Sequence, residues 1–397
     1  MPRPIYLDHH ATTPLDPDVL AAMLPYLTDR FGNAASRTHP YGWEAEEAVD
    51  TARQQVAAFI RAKPEEIIFT SGATESDNLA LKGIAWAYRE QGHHMITSPT
   101  EHKAVLDTCH SLEAQGFEIT YVPVDKTGLV DPDDIRKAIT PRTILISIMH
   151  VNSEIGTIAP LAEIGAIARE RGILLHSDAV QSVGKIACDV ETLPVDLLSL
   201  SAHKIYGPKG IGALYVRQTQ PEPIRLQPII DGGGHERGLR SGTLNVPGIV
   251  GFGQACALAQ TLWPSEGQRL LHLRQRLYDG ITSRLDDVYL NGHPTQRVPG
   301  NLNLCFDRVQ DESLLLSLKD IVALSAGSAC TSDAHEASYV LKAIGVEEPL
   351  AHSAIRFGLG RHTTAEEIDT VIDAVVEKVE RLRALSPRPA LRRHHVP

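Results

Sequence analysis

The chain has 397 residues, of which 43% are hydrophobic and 22% are charged, as is usual for a folded globular protein. These proportions exclude an intrinsically disordered or low-complexity chain, and the length allows two or three domains. With 38 basic and 49 acidic residues, the net charge of −11 disfavours a protein held on nucleic acid or an anionic membrane by its overall field.

The predicted elements of the first half alternate between strands and helices. The strands are predicted at 67–70, 95–98, 118–122, 143–150, 173–177, 197–201 and 212–216. The helices between them are predicted at 75–90, 102–115, 133–139 and 161–170. This alternation predicts an α/β domain with a mostly parallel sheet, which binds ligands beyond the carboxyl ends of its strands.

The second half predicts a smaller α+β domain. Residues 248–285 have a helical pattern, and Pro264 is expected to kink or restart the helix because proline lacks the amide donor. Strands are predicted at 301–306 and 354–358, before a last helix with one apolar face. We therefore predict an N-terminal segment (1–14) packing with the small domain, a large domain (15–262), a small domain with a cysteine loop (263–385) and a mobile tail (386–397).

Cysteine and histidine usage bears on compartment and metals. Five cysteines form no CxxC pair, which fits neither a disulfide framework nor a zinc site. The N-terminus lacks the apolar core of a secretion signal, so we expect a cytoplasmic protein. The histidine pairs at 9–10, 93–94 and 394–395 are not ready chelates, since adjacent side chains point apart on helices and strands, and we predict no metal site.

Lys204 is the first candidate for chemistry. It follows a predicted strand and precedes a glycine-rich turn, where a partly desolvated lysine could form a Schiff base. A lysine after a strand is more often a surface residue, so the assignment needs partners.

Two further strand ends supply such partners. Asp178, at the end of a buried strand, could hold the protonated ring nitrogen of pyridoxal phosphate, or it could simply cap the next helix. The turn at 71–74 leads into a helix and could bind an anion at the helix N-terminus, or it could be an ordinary capped start.

The order of the motifs is more specific than any one of them. The motifs are GATESDN (72–78), TEHKA (100–104), HVNSEIG (150–156), SDAVQS (177–182), SAHKIYGPKG (201–210), GGGHERGLRSGT (232–243) and SAGSACTSD (325–333). On these motifs the chain resembles the cysteine desulfurases over almost its whole length. These are pyridoxal-phosphate enzymes of the aspartate-aminotransferase fold (type I, class V), and the resemblance is nearest to the IscS/NifS branch that supplies sulfur for iron–sulfur clusters.

The resemblance implies a role for each matching residue. Lys204 would bind the cofactor covalently and move the substrate proton, while His102 would stack on the ring and assist. Asp178 would pair with the ring nitrogen and Gln181 with the ring hydroxyl. The remaining implied cofactor ligands are Ala73, Thr74, Ser201 and His203 at the phosphate, Asn152 near a cofactor oxygen, and Thr243 at the phosphate of the neighbouring subunit in a homodimer.

The substrate and the sulfur have their own implied residues. Asn152 and Arg356 would bind the carboxylate of L-cysteine, although Arg356 could instead form an inter-domain salt bridge. Cys330 would take the sulfur as a persulfide, releasing alanine, and would pass it to acceptors such as an iron–sulfur scaffold. The other four cysteines are expected to be packing residues.

Three departures and two alternatives remain. His9 and His10 stand where the family has small or amide residues, Val180 stands where threonine is common, and the chain ends shortly after Pro387. The two histidines could change the rim of the substrate pocket, and Val180 could remove a polar contact beside Asp178. The early end of the chain could affect docking of a scaffold protein. The alternatives are a selenocysteine lyase or another pyridoxal-phosphate lyase or aminotransferase, and a non-catalytic sulfur-delivery partner.

Overall fold

The computed structural model describes residues 3–218, 223–326 and 337–385. The strands in these ranges are β1 (Ile5–Tyr6), β2 (Ile67–Thr70), β3 (His94–Thr97), β4 (Glu118–Tyr121), β5 (Thr143–Ser147), β6 (Leu174–Asp178), β7 (Leu197–Ser201), β8 (Gly212–Val216), β9 (Val288–Leu290), β10 (Asn301–Phe306), β11 (Val322–Ala323), β12 (Ser325–Ala326) and β13 (Ala354–Gly358). The α-helices are α1 (Pro17–Leu27), α2 (Pro40–Phe59), α3 (Ala73–Ala87), α4 (Lys103–Glu113), α5 (Pro132–Ala138), α6 (Leu161–Arg171), α7 (Val246–Thr282), α8 (Asp311–Leu318), α9 (Tyr339–Ala343), α10 (Glu348–Ala351) and α11 (Ala365–Leu385).

The larger sheet confirms the predicted α/β class. Within the described ranges it has seven strands in the order β2-β8-β7-β6-β5-β3-β4. Only β8 runs antiparallel to its two neighbours. Successive residues of β2 enter different cores, Ile67 and Phe69 on one face and Ile68 on the other. The sheet is therefore buried on both faces, as is usual for a mostly parallel sheet covered by helices.

Helices α1 and α2 were not among the predicted elements, the first of which begins at residue 67. Each begins with a recognisable start signal, Asp16 before Pro17 and His39 before Pro40, and each N-cap side chain accepts a hydrogen bond from the backbone. Both helices pack against α7, and α2 also contacts β2 of the large sheet.

Helix α7 does not restart at Pro264, so one of the two outcomes predicted there does not occur. It is one helix of 37 residues that contains Pro264. Its first part buries Cys256 in the large core, whereas its second part buries Leu273 and Leu277 with α11 in another core. Packing at both ends of the helix outweighs the backbone hydrogen bond that proline cannot make. The division of domains at 262/263 stays a prediction.

The second core lies under a small antiparallel sheet. In the described residues this sheet has the order β12-β13-β10-β9, and β1 pairs with β11 beside it. The predicted strands 301–306 and 354–358 are confirmed, as is the apolar face of the last helix, where Ile368, Val371 and Val375 are buried. None of the described helices is long and apolar enough to cross a membrane.

Candidate active site

The ends of β6 and β7 bring the predicted lysine and aspartate to one edge of the large sheet. The two strands are parallel neighbours, with Asp178 opposite Ser199. Asp178 is the last residue of β6, and Lys204 ends the short 3-10 turn that directly follows β7. Both residues therefore lie just beyond the carboxyl ends of parallel strands, where sheets of this kind bind ligands.

The N-terminal segment holds the amine of Lys204. The Nζ atom donates hydrogen bonds to the carbonyl oxygens of His10 at 2.5 Å and Ala11 at 2.8 Å. Thr13 fixes that segment to the lysine turn, since its hydroxyl donates to the carbonyl of His203 at 2.9 Å. The amine is thus half-buried and oriented, which suits a group that reacts with an aldehyde.

Asp178 lies among other titratable side chains. Its Oδ1 accepts a hydrogen bond from the N–H of Val180 at 2.9 Å, a backbone contact that does not need the hydroxyl of a threonine there. Polar atoms of Asp77, His102 and Asp178 all lie within 4.8 Å of one another. Burial raises the pKa of Asp178, and His102 and Lys204 oppose this shift. A protonated ring nitrogen would add the positive partner that favours the carboxylate.

The start of α4 fixes the orientation of His102. Its Nδ1 accepts a hydrogen bond from the N–H of Ala104 at 3.1 Å, as an N-cap residue does. A neutral imidazole that accepts at Nδ1 carries its proton on Nε2. In that tautomer the Nε2–H group of His102 lies in the same cluster as Asp77 and Asp178.

A single glycine lets the start of α3 approach the end of β7. Gly212 pairs with Thr70 of β2 on one side and with Ser201 of β7 on the other. A Cβ atom at position 212 would lie 2.7 Å from the Cα of Gly72, so a larger residue would push the turn away. No described side chain caps the first N–H groups of α3. Free amides at the positive end of a helix suit a phosphate.

The other predicted phosphate ligands lie beside this turn. Ala73 and Thr74 are the first two residues of α3. His203 Nδ1 lies 3.1 Å from the hydroxyl of Thr12. Burial, followed by the charge of Lys204, lowers the pKa of His203 to about 4. The ring is therefore neutral near pH 7 and can share one hydrogen bond with a phosphate; these phosphate contacts stay predictions.

Asn152 is engaged with the backbone around it. Its Oδ1 accepts hydrogen bonds from the N–H groups of Glu154 and Ile155, both at 2.9 Å. Its Nδ2 donates to the carbonyl of Thr100 at 2.9 Å. The side chain holds the turn after residue 151 against the loop before α4, and its contact with cofactor or substrate stays a prediction.

Arg356 on β13 forms a salt bridge with Asp8 of the N-terminal segment. Its Nη2 lies 3.0 Å from Oδ1 of Asp8, and its Nη1 donates to the carbonyl of Ser153 at 3.0 Å. Its Nε is buried and has no hydrogen-bond partner among the described residues. An unmet guanidinium N–H is costly, and a substrate carboxylate could satisfy it.

The four described cysteines are buried, which agrees with their predicted packing role. They are Cys109 on α4, Cys188 in a connection, Cys256 on α7 and Cys305 on β10. Burial raises the pKa of Cys109 and Cys188 to about 12 and that of Cys305 to about 11. None is suited to act as a thiolate near pH 7. Cys330 lies outside the described residues.

The segment that carries Thr243 is fixed to the large sheet. The carboxylate of Glu236 pairs with Arg53 at 2.6 Å and accepts a hydrogen bond from the N–H of Phe69 at 2.7 Å. Thr243 itself is exposed on this chain. This position is compatible with a contact to a neighbouring subunit, which stays a prediction.

Three charged groups near the site are absent from the predicted site residues. Asp77 is fully buried, and burial together with Asp178 raises its pKa well above the usual value. Glu101 accepts hydrogen bonds from the N–H of Met149, and burial raises its pKa to about 8. Lys185 donates a hydrogen bond to Gln181, the residue predicted to bind the ring hydroxyl. Asp77 and Glu101 lie inside matched motifs, but a sequence does not show that a charged residue is buried.

The arrangement fits pyridoxal phosphate. Asp77, His102 and Asp178 form the one set of three side chains in the described ranges that lies close enough together to share a metal ion. The neighbouring amine of Lys204 and the uncapped start of α3 are not explained by a metal. Together they supply an aldehyde partner, an acid for a ring nitrogen and an anion site along one sheet edge.

Comparisons with known proteins agree with this geometry. The family model "Aminotransferase class-V" matches residues 5–371. The chain is 58% identical to "Cysteine desulfurase IscS" of Anaeromyxobacter sp. (strain Fw109-5), over 98% of this chain and 95% of that protein. A solved NifS-like protein is 37% identical and superimposes with a TM-score of 0.88, covering 95% of this chain and 99% of the other. A structure of SspA in complex with cysteine is 39% identical, with a TM-score of 0.80 and coverage of 91% and 100%. The chain therefore belongs to the cysteine desulfurases of the class-V aminotransferase family.

Proposed function

We propose that the protein converts L-cysteine to L-alanine with pyridoxal 5'-phosphate and transfers the sulfur to Cys330 as a persulfide. Enzymes of this family use pyridoxal phosphate. The observation that carries the proposal is the convergence of Lys204, Asp178 and His102 at one sheet edge in a chain of this family. A relative solved in complex with cysteine supports the same substrate.

Each group at the sheet edge has a defined task. When bound, pyridoxal phosphate withdraws electrons from the bonds around the amino acid carbon attached to it. Lys204 anchors the cofactor aldehyde and then moves the substrate α-proton through Nζ. Asp178 keeps the ring nitrogen protonated, and His102 packs on the ring and assists the proton transfer at Nε2. Gln181 donates a hydrogen bond to the ring hydroxyl oxygen.

The ends of the site hold the two anionic groups. Ala73, Thr74, Ser201 and His203 surround the phosphate position at the start of α3. Arg356 and Asn152 bind the carboxylate of cysteine at the opposite end, where Arg356 has an unpartnered Nε. An extended ligand fixed at both ends leaves its reacting carbon beside Lys204.

Sulfur transfer needs a separate nucleophile. The Cys330 thiolate attacks the substrate sulfur, so that an S–S bond forms while the C–S bond breaks, and a proton completes the methyl group of alanine. Burial raises the pKa of the thiol groups of the four described cysteines, which makes them poor candidates. Cys330 is the remaining cysteine of the five.

The proposal includes a homodimer. Exposed apolar side chains are concentrated on α1, on the segment after it and at the start of α2. They are Leu20, Leu24, Leu27, Phe31, Tyr41 and Trp43. A second copy that covers this surface would remove it from water, and Thr243 would then reach the phosphate of the neighbouring subunit.

The proposal also covers the sulfur acceptor, the compartment and the domain bounds. A relative carries the name IscS, which favours delivery of persulfide sulfur to an iron–sulfur scaffold protein and other acceptors. We place the reaction in the cytoplasm, with the large unit at 15–262, the small unit at 263–385 and residues 1–14 packed on the latter.

Product analysis tests the proposed function. The holoenzyme is incubated with L-cysteine or L-selenocysteine, alanine is quantified by chromatography, and cysteine-containing peptides are examined by mass spectrometry. We expect alanine from L-cysteine and one added sulfur atom on the Cys330 peptide. Alanine from selenocysteine alone would favour a selenocysteine lyase, and amino transfer to an oxo acid without sulfur release would favour an aminotransferase.

A further inference from the structure

The side chain of Gln181 is held by two residues that have no task in the proposed reaction, Lys185 and His10. Its Oε1 accepts hydrogen bonds from Lys185 Nζ at 2.6 Å and from His10 Nδ1 at 2.9 Å. Its Nε2 donates to the carbonyl oxygen of His10 at 2.9 Å. That carbonyl also accepts from Lys204, so the network reaches the reactive amine.

This pattern determines which end of the amide faces the cofactor. A carboxamide has one acceptor end and one donor end, and its partners alone decide between the two orientations. The carbonyl oxygen of His10 can only accept, so Nε2 must face it, and Oε1 then faces Lys185 and the ring of His10. One hydrogen of Nε2 goes to the His10 carbonyl, and the other has no partner among the described residues. Gln181 is thereby presented to the site as a hydrogen-bond donor.

Lys185 has no evident role other than this contact. It is half-buried and lines a cavity with His10, Lys204 and Leu270. In the described residues no carboxylate lies within salt-bridge distance of its amine. Burial, followed by the charges of Lys204 and Arg356, lowers its pKa well below the usual value. The neutral and the protonated amine both carry N–H groups that can donate to Oε1 of Gln181, so the contact does not require a charge.

We infer that Lys185 and His10 are positioning residues that fix the amide of Gln181 so that its N–H group, not its oxygen, faces the ring hydroxyl of pyridoxal phosphate. The inference rests on the proposed function, because that function places Gln181 at the ring hydroxyl. An N–H donor stabilises the ionised ring oxygen, whereas an amide oxygen at the same place would repel it. His10 thus takes part through both its ring and its carbonyl at a position where the family has small or amide residues.

The test uses a double-mutant cycle of Lys185→Met and Gln181→Leu. Met keeps the length and apolar character of the stem but removes the donor. The readouts are the visible absorption band of the bound cofactor and the cofactor dissociation constant, both measured without cysteine. We expect Lys185→Met to shift part of the absorption to shorter wavelength and to weaken cofactor binding by about fivefold, as loss of one neutral hydrogen bond does.

The coupling between the two positions decides the matter. If Lys185 acts through Gln181, adding Lys185→Met to Gln181→Leu changes neither readout further. Equal effects of Lys185→Met in both backgrounds, or an unchanged spectrum in the single variant, would overturn the inference. Lys185→Gln, which restores an N–H donor, should recover at least part of the wild-type absorption.

Two controls separate positioning from folding. Leu270→Ala removes packing from the same cavity without contacting Gln181 and should leave the absorption band unchanged. If Lys185→Met does not fold by circular dichroism, His10→Phe removes the other donor and should give the same spectral shift. Because the readouts do not use substrate, they stay valid if no alanine forms. Conversely, if alanine and the Cys330 persulfide form but the effects of Lys185→Met and Gln181→Leu simply add, only this inference is overturned and the proposed function stands.

Discussion

The two sides of the active site are built in different ways. On the cofactor side, Asp178 and Lys204 follow neighbouring strands of one sheet, so the backbone register sets their separation. On the substrate side, Arg356 belongs to the small sheet and is held by Asp8, which is 348 positions away in sequence. The cofactor side is therefore rigid by construction, whereas the substrate side depends on side-chain contacts between distant parts of the chain. Changes on the first side should lower kcat, and changes on the second should mainly raise KM.

The largest effect is expected on the rigid side. Lys204→Ala removes both the covalent anchor and the proton carrier, so alanine formation should fall by about three orders of magnitude or more. The measurement is steady-state alanine release with added cofactor. Borohydride reduction of wild-type holoenzyme followed by peptide mapping is the companion experiment, and pyridoxyl on a lysine other than Lys204 would refute the assignment.

A smaller and different effect is expected at Arg356. Arg356→Lys keeps the charge but loses the forked donor, so kcat/KM for cysteine should fall by about 10- to 100-fold, mostly through KM. Asp8→Asn is the matched control, because it loosens the arginine without removing its donors, and its effect should be smaller. A pure loss of kcat in Arg356→Lys would contradict the division between the two sides.

The predicted dimer concerns whether the cofactor side needs a residue, Thr243, from the neighbouring subunit. Leu24→Lys places a charge on the exposed apolar surface of α1 and should shift the protein from dimer to monomer in light scattering. Leu316→Lys, at a still more exposed leucine on α8, should leave the dimer intact. An active wild-type monomer would argue against shared sites.

Subunit mixing sharpens the same prediction. Homodimers of Lys204→Ala and of Thr243→Ala should both be impaired, whereas a mixed dimer contains one site with both residues intact. Random reassortment should therefore restore about a quarter of wild-type activity. No recovery after verified exchange would place Thr243 in its own subunit's site or outside the site.

The smallest effect concerns stability rather than turnover. Burial lowers the pKa of His150, on the segment after β5, from 6.5 to about 4. The unfolded chain then binds the proton more readily, so stability is intact above about pH 6.5 and falls as the pH drops toward 4. Between pH 7 and 5 this histidine alone should account for a loss of about 2 kcal/mol in the free energy of unfolding.

Replacing the histidine checks this cause. Between pH 7 and 5, the free energy of unfolding of His150→Phe, measured in urea, should fall by about 2 kcal/mol less than that of the wild type. Identical pH dependence in the two proteins would mean that other groups set the acid sensitivity.

The sequence predicted the rigid side better than the substrate side, for a physical reason. Asp178 ends β6 and Lys204 closely follows β7, so position along the chain predicts position in space. The Asp8–Arg356 pair joins the two ends of the chain, and no local pattern encodes it. The continuation of α7 past Pro264 could not be predicted, because tertiary packing of the helix is not visible in a local window.

The sequence also does not show which polar and charged side chains are buried beside the site. The motifs named Gln181 but not Lys185 or His10, which hold its amide. A lysine four residues after a glutamine is compatible with a solvated helix face, and only the fold shows that its amine points into a cavity.

The most direct test of the account follows the sulfur atom. Holoenzyme and Cys330→Ala are each given L-cysteine labelled with radioactive sulfur, without reductant, and the labelled peptides are mapped. The account predicts label on Cys330 in the wild type, and in Cys330→Ala no labelled peptide and no alanine although the cofactor spectrum still responds to cysteine. Label on Cys109, Cys188, Cys256 or Cys305, or unchanged alanine release in Cys330→Ala, would contradict it.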